Sequence, residues 1–147
     1  MGQENYYSAP QMDRAFAHAQ RQQCVVAALY TSQHCPFCIA LKREQLTPRM
    51  RSDAKPCLIV IEIDPEREKI LRFPQSEPKT TVAWARQHNL ALFPTLVMIS
   101  ASGSALTAPL IGYSSKDSYS SYLDDQIRAA QAYTLRPPAQ RRPQNTP

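Results

Sequence analysis

Cys24-Val-Val-Ala-Ala-Leu-Tyr-Thr-Ser-Gln-His-Cys-Pro-Phe-Cys38 decides how this chain folds. Its first half is a continuous apolar run rich in strand formers, as in a strand buried on both faces. Thr31-Ser-Gln-His34 is a short polar loop. Cys35 follows, and Pro36 stands where a first helical turn tolerates a residue without an N–H. Phe37, Ile39, Ala40, Leu41, Leu46 and Met50 then mark a helix over about 36–52, which Pro48 should kink or end. Two cysteines three apart at a strand–loop–helix junction are a redox signature rather than a structural one.

The chemistry follows from the helix start. Cys35 lies where unpaired N–H groups and the helix dipole favour a thiolate. Its thiol should ionise more readily than a free one and act as a nucleophile. Cys38, one turn further in, is shielded and placed to resolve a mixed disulfide formed at Cys35. His34, one residue upstream, is a candidate for tuning that thiolate. A zinc knuckle would need a second close pair, but Cys24 and Cys57 are isolated at the heads of two apolar runs. No metal or other cofactor is therefore expected.

Working outward, Met12, Ala15, Phe16 and Ala19 recur at helical spacing and predict a helix over about 10–22, with Ser8 as cap. Residues 1–9 read as a flexible terminus. Residues 57–64 predict a second buried strand. The charged, proline-broken stretch 65–79 predicts a loop with one helical turn. Thr80 caps a predicted helix over 81–89 with Val82, Trp84 and Ala85 as packing residues. Strands are expected at 95–100 and at 108–113, the latter at an edge because of Pro109. Ser115 is the expected cap of a last helix running to about 133, with Tyr119, Tyr122, Leu123, Ile127 and Ala130 on its apolar face. Early parallel βαβ units, a hairpin and a final helix make an α/β domain over residues 10–133.

At 147 residues and 43% hydrophobic content, the chain suits one domain with a real core. Four of its 13 prolines lie in the last eleven residues, and the 134–147 segment carries Arg136, Arg141 and Arg142. That Pro/Arg-rich tail reads as disordered. It supplies three charges toward a net +5, so the domain itself is near neutral and nucleic acid is not an expected partner. The basic residues Lys42, Arg43, Arg49, Arg51 and Lys55 are interrupted by Glu44 and Asp53 and read as a solvated face. No stretch is long and apolar enough to span a bilayer, and no signal-peptide core follows Met1. The chain then reads either as cytoplasmic or as a form whose export signal has been removed.

The strand into Cys35-Pro36-Phe37-Cys38, the strand Leu58–Ile63 ending in Asp64, Phe93-Pro94-Thr95 at the head of a strand and the Gly112-Tyr113 pair together resemble the thioredoxin superfamily. The resemblance covers roughly residues 10–132 and is greatest to small bacterial, periplasmic thioredoxin-like proteins. It implies a central mixed sheet of four to five strands flanked by helices, and a monomer. It also implies a cis Pro94 facing the cysteine pair. Phe93, Pro94, Thr95, Pro36 and Phe37 would contact an extended substrate, although Phe93 also suits a core position. Implied partners are protein disulfides or dithiols and an upstream thiol donor or acceptor. Two departures stand out. Leu29 occupies the place of the buried Asp that thioredoxins carry six residues before the first cysteine, and Val60 that of its Lys partner. The interior beneath Cys38 should thus be drier and less acidic. The Pro-Phe dipeptide resembles the Pro-Tyr of glutaredoxins more than the Gly-Pro of thioredoxins, whose potentials are the more reducing. The expected activity is disulfide exchange with proteins, as a reductase or isomerase rather than a strong oxidase. A thioredoxin-fold binding module, acting as a holdase or Cu(I) chaperone, is the alternative.

Cys24 and Cys57 head two strands expected to lie side by side. Side chains of parallel neighbours point alike, so a bridge is expected to be strained, and two buried small hydrophobes are the favoured reading.

Overall fold

The computed structural model describes residues 5–114 and 116–134. The expected cap Ser115 and the segment from residue 135 onward lie outside them. Among the described residues, five strands form one mixed sheet in the order β1 (Tyr6–Ser8), β3 (Leu58–Ile63), β2 (Val25–Tyr30), β6 (Thr95–Met98) and β7 (Leu110–Ile111). β1 and β2 run parallel to β3, whereas β6 is antiparallel to both β2 and β7. α1 (Met12–Gln22) and α4 (Thr81–Gln87) accompany one core, built on Met12, Ala15, Ala19, Val26, Ile59, Ile61, Trp84 and Val97. α2 (Pro36–Leu41) and α5 (Lys116–Thr134) accompany the other, built on Leu29, Leu41, Leu58, Val60, Leu96, Leu123 and Ala130. The alternation along each central strand, odd-numbered on one face of β2 and even-numbered on the other, fills both cores.

The local signals act as their chemistry demands. Gln11 Oε1 accepts from the Ser8 N–H at 3.0 Å, completing a capping box ahead of α1. Thr80 Oγ1 accepts from the Ala83 N–H at 3.0 Å and starts α4. Pro109 stands immediately before the edge strand β7, where its missing donor costs least. Pro48 would drive its ring into the Glu44 carbonyl of a regular helix. The chain absorbs this with a π-helical turn over Lys42–Leu46, in which the Thr47 N–H reaches back to the Lys42 carbonyl, before α3 (Thr47–Arg51) resumes.

Four expectations are corrected. The N-terminus is not loose through residue 9: Tyr6–Ser8 form β1, an edge strand whose short, aperiodic sequence acquires its conformation by pairing with Val60–Glu62. The 65–79 stretch has its expected single turn, closed by the Glu68 N–H on the Asp64 carbonyl at 2.8 Å, but it is not otherwise a loop: β4 (Ile70–Leu71) pairs antiparallel with β5 (Lys79–Thr80). Val82 and Tyr122 are exposed rather than packed; α4 and α5 bury narrower faces than their apolar residues suggested. Finally, Cys24 and Cys57 are joined by a disulfide, with Cα atoms 4.5 Å apart. The pleat argument against a bridge applies inside a ladder. These cysteines precede the first paired residues, Val25 and Leu58, and Cys24 follows Gln23 in the left-handed region at φ 58°, so their Cβ directions are not set by the ladder.

Candidate functional site

Cys35 is the N-cap of α2, in extended conformation, and its Sγ accepts the Cys38 N–H at 3.1 Å. The sulfur therefore already sits among the unpaired donors of a helix start, which is where a thiolate would be stabilised. Cys35 and Cys38 are bonded as a disulfide with Cα atoms 5.2 Å apart. Cys35 is 9% exposed and Cys38 only 2%, so an incoming thiol or disulfide reaches the outer sulfur first.

Phe93–Pro94 is a cis peptide. Thr95 pairs with Tyr30 in the β2–β6 ladder, which brings Phe93 and Pro94 to the end of β2 from which the loop to Cys35 departs. Phe93 is partly exposed at 38%, and its ring lies 4.9 Å from that of Tyr30; it is a rim residue, not a core aromatic. The Pro94 carbonyl accepts from the Gly112 N–H at 2.7 Å, with Gly112 at a φ of 76° that suits glycine. Thr95 is buried and its hydroxyl donates to the Leu92 carbonyl at 2.8 Å, so its side chain faces the fold and not a substrate. Pro36 and Phe37 are exposed, as is His34. Ile39, read from sequence only as a helix marker, and Leu92 and Ile111, which were not singled out, are also large exposed hydrophobics, on α2, before Phe93 and on the edge strand respectively.

A polar brace behind the motif also escaped sequence reading. Tyr113, one residue beyond Gly112, donates to Glu44 Oε1 at 2.7 Å and accepts from Gln45 Nε2 at 3.3 Å. Gln45 is buried, and Arg49 donates to its side-chain oxygen at 3.0 Å while pairing with Asp124 of α5 at 2.9 Å. The π turn thus links the cysteine helix to the segment that holds Pro94. Burial, then the hydrogen bond to Glu44, raises the Tyr113 hydroxyl above its ordinary range. A Gln beside Leu46 in an otherwise apolar stripe was the available signal.

Leu29 and Val60 are fully buried, so the core between β2 and β3 is apolar at those positions. The surroundings of Cys38 are nevertheless not uniformly dry. A cleft of about 370 Å³ runs past it, lined also by Thr31, Lys42, Glu62, Asp64 and Glu68. Among the described residues no group of three or more His, Cys, Asp or Glu is arranged to hold a metal ion, and no helix is long and apolar enough to cross a membrane.

A sheet of this order with a Cys-x-x-Cys helix start and a cis-proline loop beside it defines a thioredoxin-type site. Residues 12–127 match the thioredoxin-like domain family, and the chain belongs to that family. Its fold is similar to a mutant thioredoxin from Halobacterium salinarum NRC-1 (17% identity, 84% of this chain and 91% of the other, TM-score 0.51). It is similar as well to a mutant poplar thioredoxin h (15%, 92% and 88%, 0.54). A third similar structure is described as DsbH oxidoreductase (19%, 85% and 85%, 0.51). A comparison with curated proteins finds no match.

Proposed function

We propose that this chain is a thiol:disulfide oxidoreductase that exchanges disulfides with protein substrates through Cys35 and Cys38. The observation that carries the reading is Cys35 at the N-cap of α2, its sulfur on the Cys38 N–H and bonded to a shielded partner. In the reduced pair, the Cys35 thiolate attacks a substrate disulfide and one substrate sulfur leaves as thiolate. Cys38, deprotonated, then attacks Cys35 Sγ. The Cys35–Cys38 bond forms, the second substrate sulfur leaves, and two electrons have passed to the substrate. Phe37, Phe93 and Ile111 are exposed apolar side chains available to an unfolded or extended segment that pairs with the backbone of Phe93 and Pro94.

A reductase or isomerase-like direction, rather than that of a strong oxidase, is part of the same proposal. A reduction potential below roughly −200 mV in a glutathione series supports it, and one near −120 mV overturns it. A location outside the cytoplasm is supported by the Cys24–Cys57 bridge, since structural disulfides persist in oxidising compartments. Trapping thiols in intact cells should find that bridge closed; finding it reduced would argue for the cytoplasm. The activity itself is tested by insulin reduction. Cys35→Ser should abolish turnover and Cys38→Ser should accumulate mixed disulfides, whereas full activity in Cys35→Ser would end the proposal and leave the binding-module alternative.

A further inference from the structure

The resolving step needs the Cys38 thiolate, yet Cys38 is 2% exposed and apolar burial holds a thiol protonated. The proton must therefore leave through the protein or its clefts. β3 offers a route. Its residues Leu58, Val60 and Glu62 alternate onto the sheet face that carries α2. The first two are fully buried, and the third breaks the apolar pattern with a carboxylate. Glu62 pairs across the ladder with Leu29, at the end of β2 nearest the cysteine motif. Lys42 stands four residues after Cys38, on the same side of the helix. Its Nζ holds Glu62 Oε1 at 2.9 Å, with both side chains about one-third exposed (33% and 31%). Cys38, Lys42 and Glu62 line one wall-to-wall cleft of about 370 Å³, large enough to admit several waters.

We infer that Glu62, oriented by Lys42, accepts the Cys38 proton through water in this cleft when Cys38 attacks the mixed disulfide. The inference rests on the proposed exchange activity and deepens it. The step balances. The Cys38 S–H proton passes to the Glu62 carboxylate, the Cys38 sulfur bonds to Cys35 Sγ, and the departing substrate sulfur takes the electron pair of the broken bond. Other charged groups face the same cleft. Asp64 is committed to its own turn, its Oδ1 accepting the Glu66 N–H at 2.9 Å. Glu68 and Arg67 line the cleft from the loop after β3. Lys42 also lies 4.6 Å from the centre of the Tyr6 ring on β1, which fixes the ammonium from the far side.

The test uses the full chain, reduced at Cys35 and Cys38, and the aromatic disulfide 5,5′-dithiobis(2-nitrobenzoate). The first thionitrobenzoate released reports Cys35 attack; the second reports Cys38 resolving the adduct. Stopped-flow traces are taken from about pH 5.5 to about pH 9.5, on both sides of the ordinary thiol range of about 8.5. Glu62→Gln should slow the second release roughly a hundredfold at neutral pH and leave the first unchanged. The two pH profiles should converge above the thiol range, where Cys38 ionises unaided. Lys42→Gln, which keeps the carboxylate but loosens it, should fall between them. Superimposable second phases, or slowing by the same factor at every pH as a mere strut would give, would overturn the role of Glu62. A first phase that persists in Cys35→Ser would instead overturn the exchange reading, and this inference with it.

Discussion

Replacing Cys24 and Cys57 together by Ala removes a cross-link between residues 33 apart. In the chain-entropy description, closing a loop of that length disfavours the unfolded ensemble by about 3.7 kcal/mol at 25 °C. The variant should be less stable by that amount. With a urea m-value of roughly 1.5 kcal/mol/M, the unfolding midpoint should fall by about 2.5 M. Over about 130 described residues, at roughly 2.1 cal/mol/K per residue, the same loss lowers Tm by about 14 °C. Trp84 is the only tryptophan and is fully buried against Phe73 and His88, so its fluorescence follows global unfolding. Cys35 and Cys38 are kept in one redox state throughout. A midpoint shift below about 0.5 M at unchanged m would refute the reasoning, because it would mean the bridge constrains nothing that unfolding releases.

Tyr119 has a buried hydroxyl with no hydrogen-bond partner among the described residues, so Tyr119→Phe should stabilise the protein by about 1 kcal/mol at neutral pH in urea unfolding. Burial above all, then the neighbouring Tyr113, raises the Tyr119 hydroxyl far above its ordinary range. The folded state therefore holds that proton longer than the unfolded chain. Stability is full below about pH 10 and declines as pH rises beyond it; Tyr119→Phe should flatten this alkaline decline. His88 is lowered, chiefly by burial, so its contribution is present above about pH 6.5 and lost as pH falls below it. Replacing His88 by Leu should remove part of the acid-side decline in Tm. Phe37→Ala should weaken exchange with a protein disulfide by roughly tenfold, the scale of one truncated aromatic anchor, and leave exchange with a small aromatic disulfide unchanged; equal losses on both would mean that Phe37 supports the motif rather than the substrate.

The parts of the fold legible in the sequence are those specified within a few residues. Val25–Tyr30 and Leu58–Ile63 declare themselves by unbroken apolar character, Thr80 by its hydroxyl, and Cys35 and Cys38 by spacing at a helix start. What sequence reading missed depends on who stands opposite. Tyr6–Ser8 has no periodicity to reveal a strand, because the partner edge of β3 creates it. The Cys24–Cys57 bridge turns on two residues lying just outside a ladder whose register only the fold defines. Glu62 looks like an interruption in an apolar strand until Lys42 is seen one helical turn beyond Cys38. The brace through Gln45 and Tyr113 required the π turn, which Pro48 signalled only as a break.

β2 is bounded by a disulfide at either end: Cys24 just before it and, after the loop, Cys35. Six residues of strand span about 20 Å, so the two bonds lie at opposite poles of the sheet. One pole carries the pair proposed to open and close, its outer sulfur on a helix start. The other fastens β2 to β3 immediately ahead of their shared ladder. In the proposed exchange, a reductant that opens Cys35–Cys38 therefore releases a three-residue clasp in a frame already riveted elsewhere.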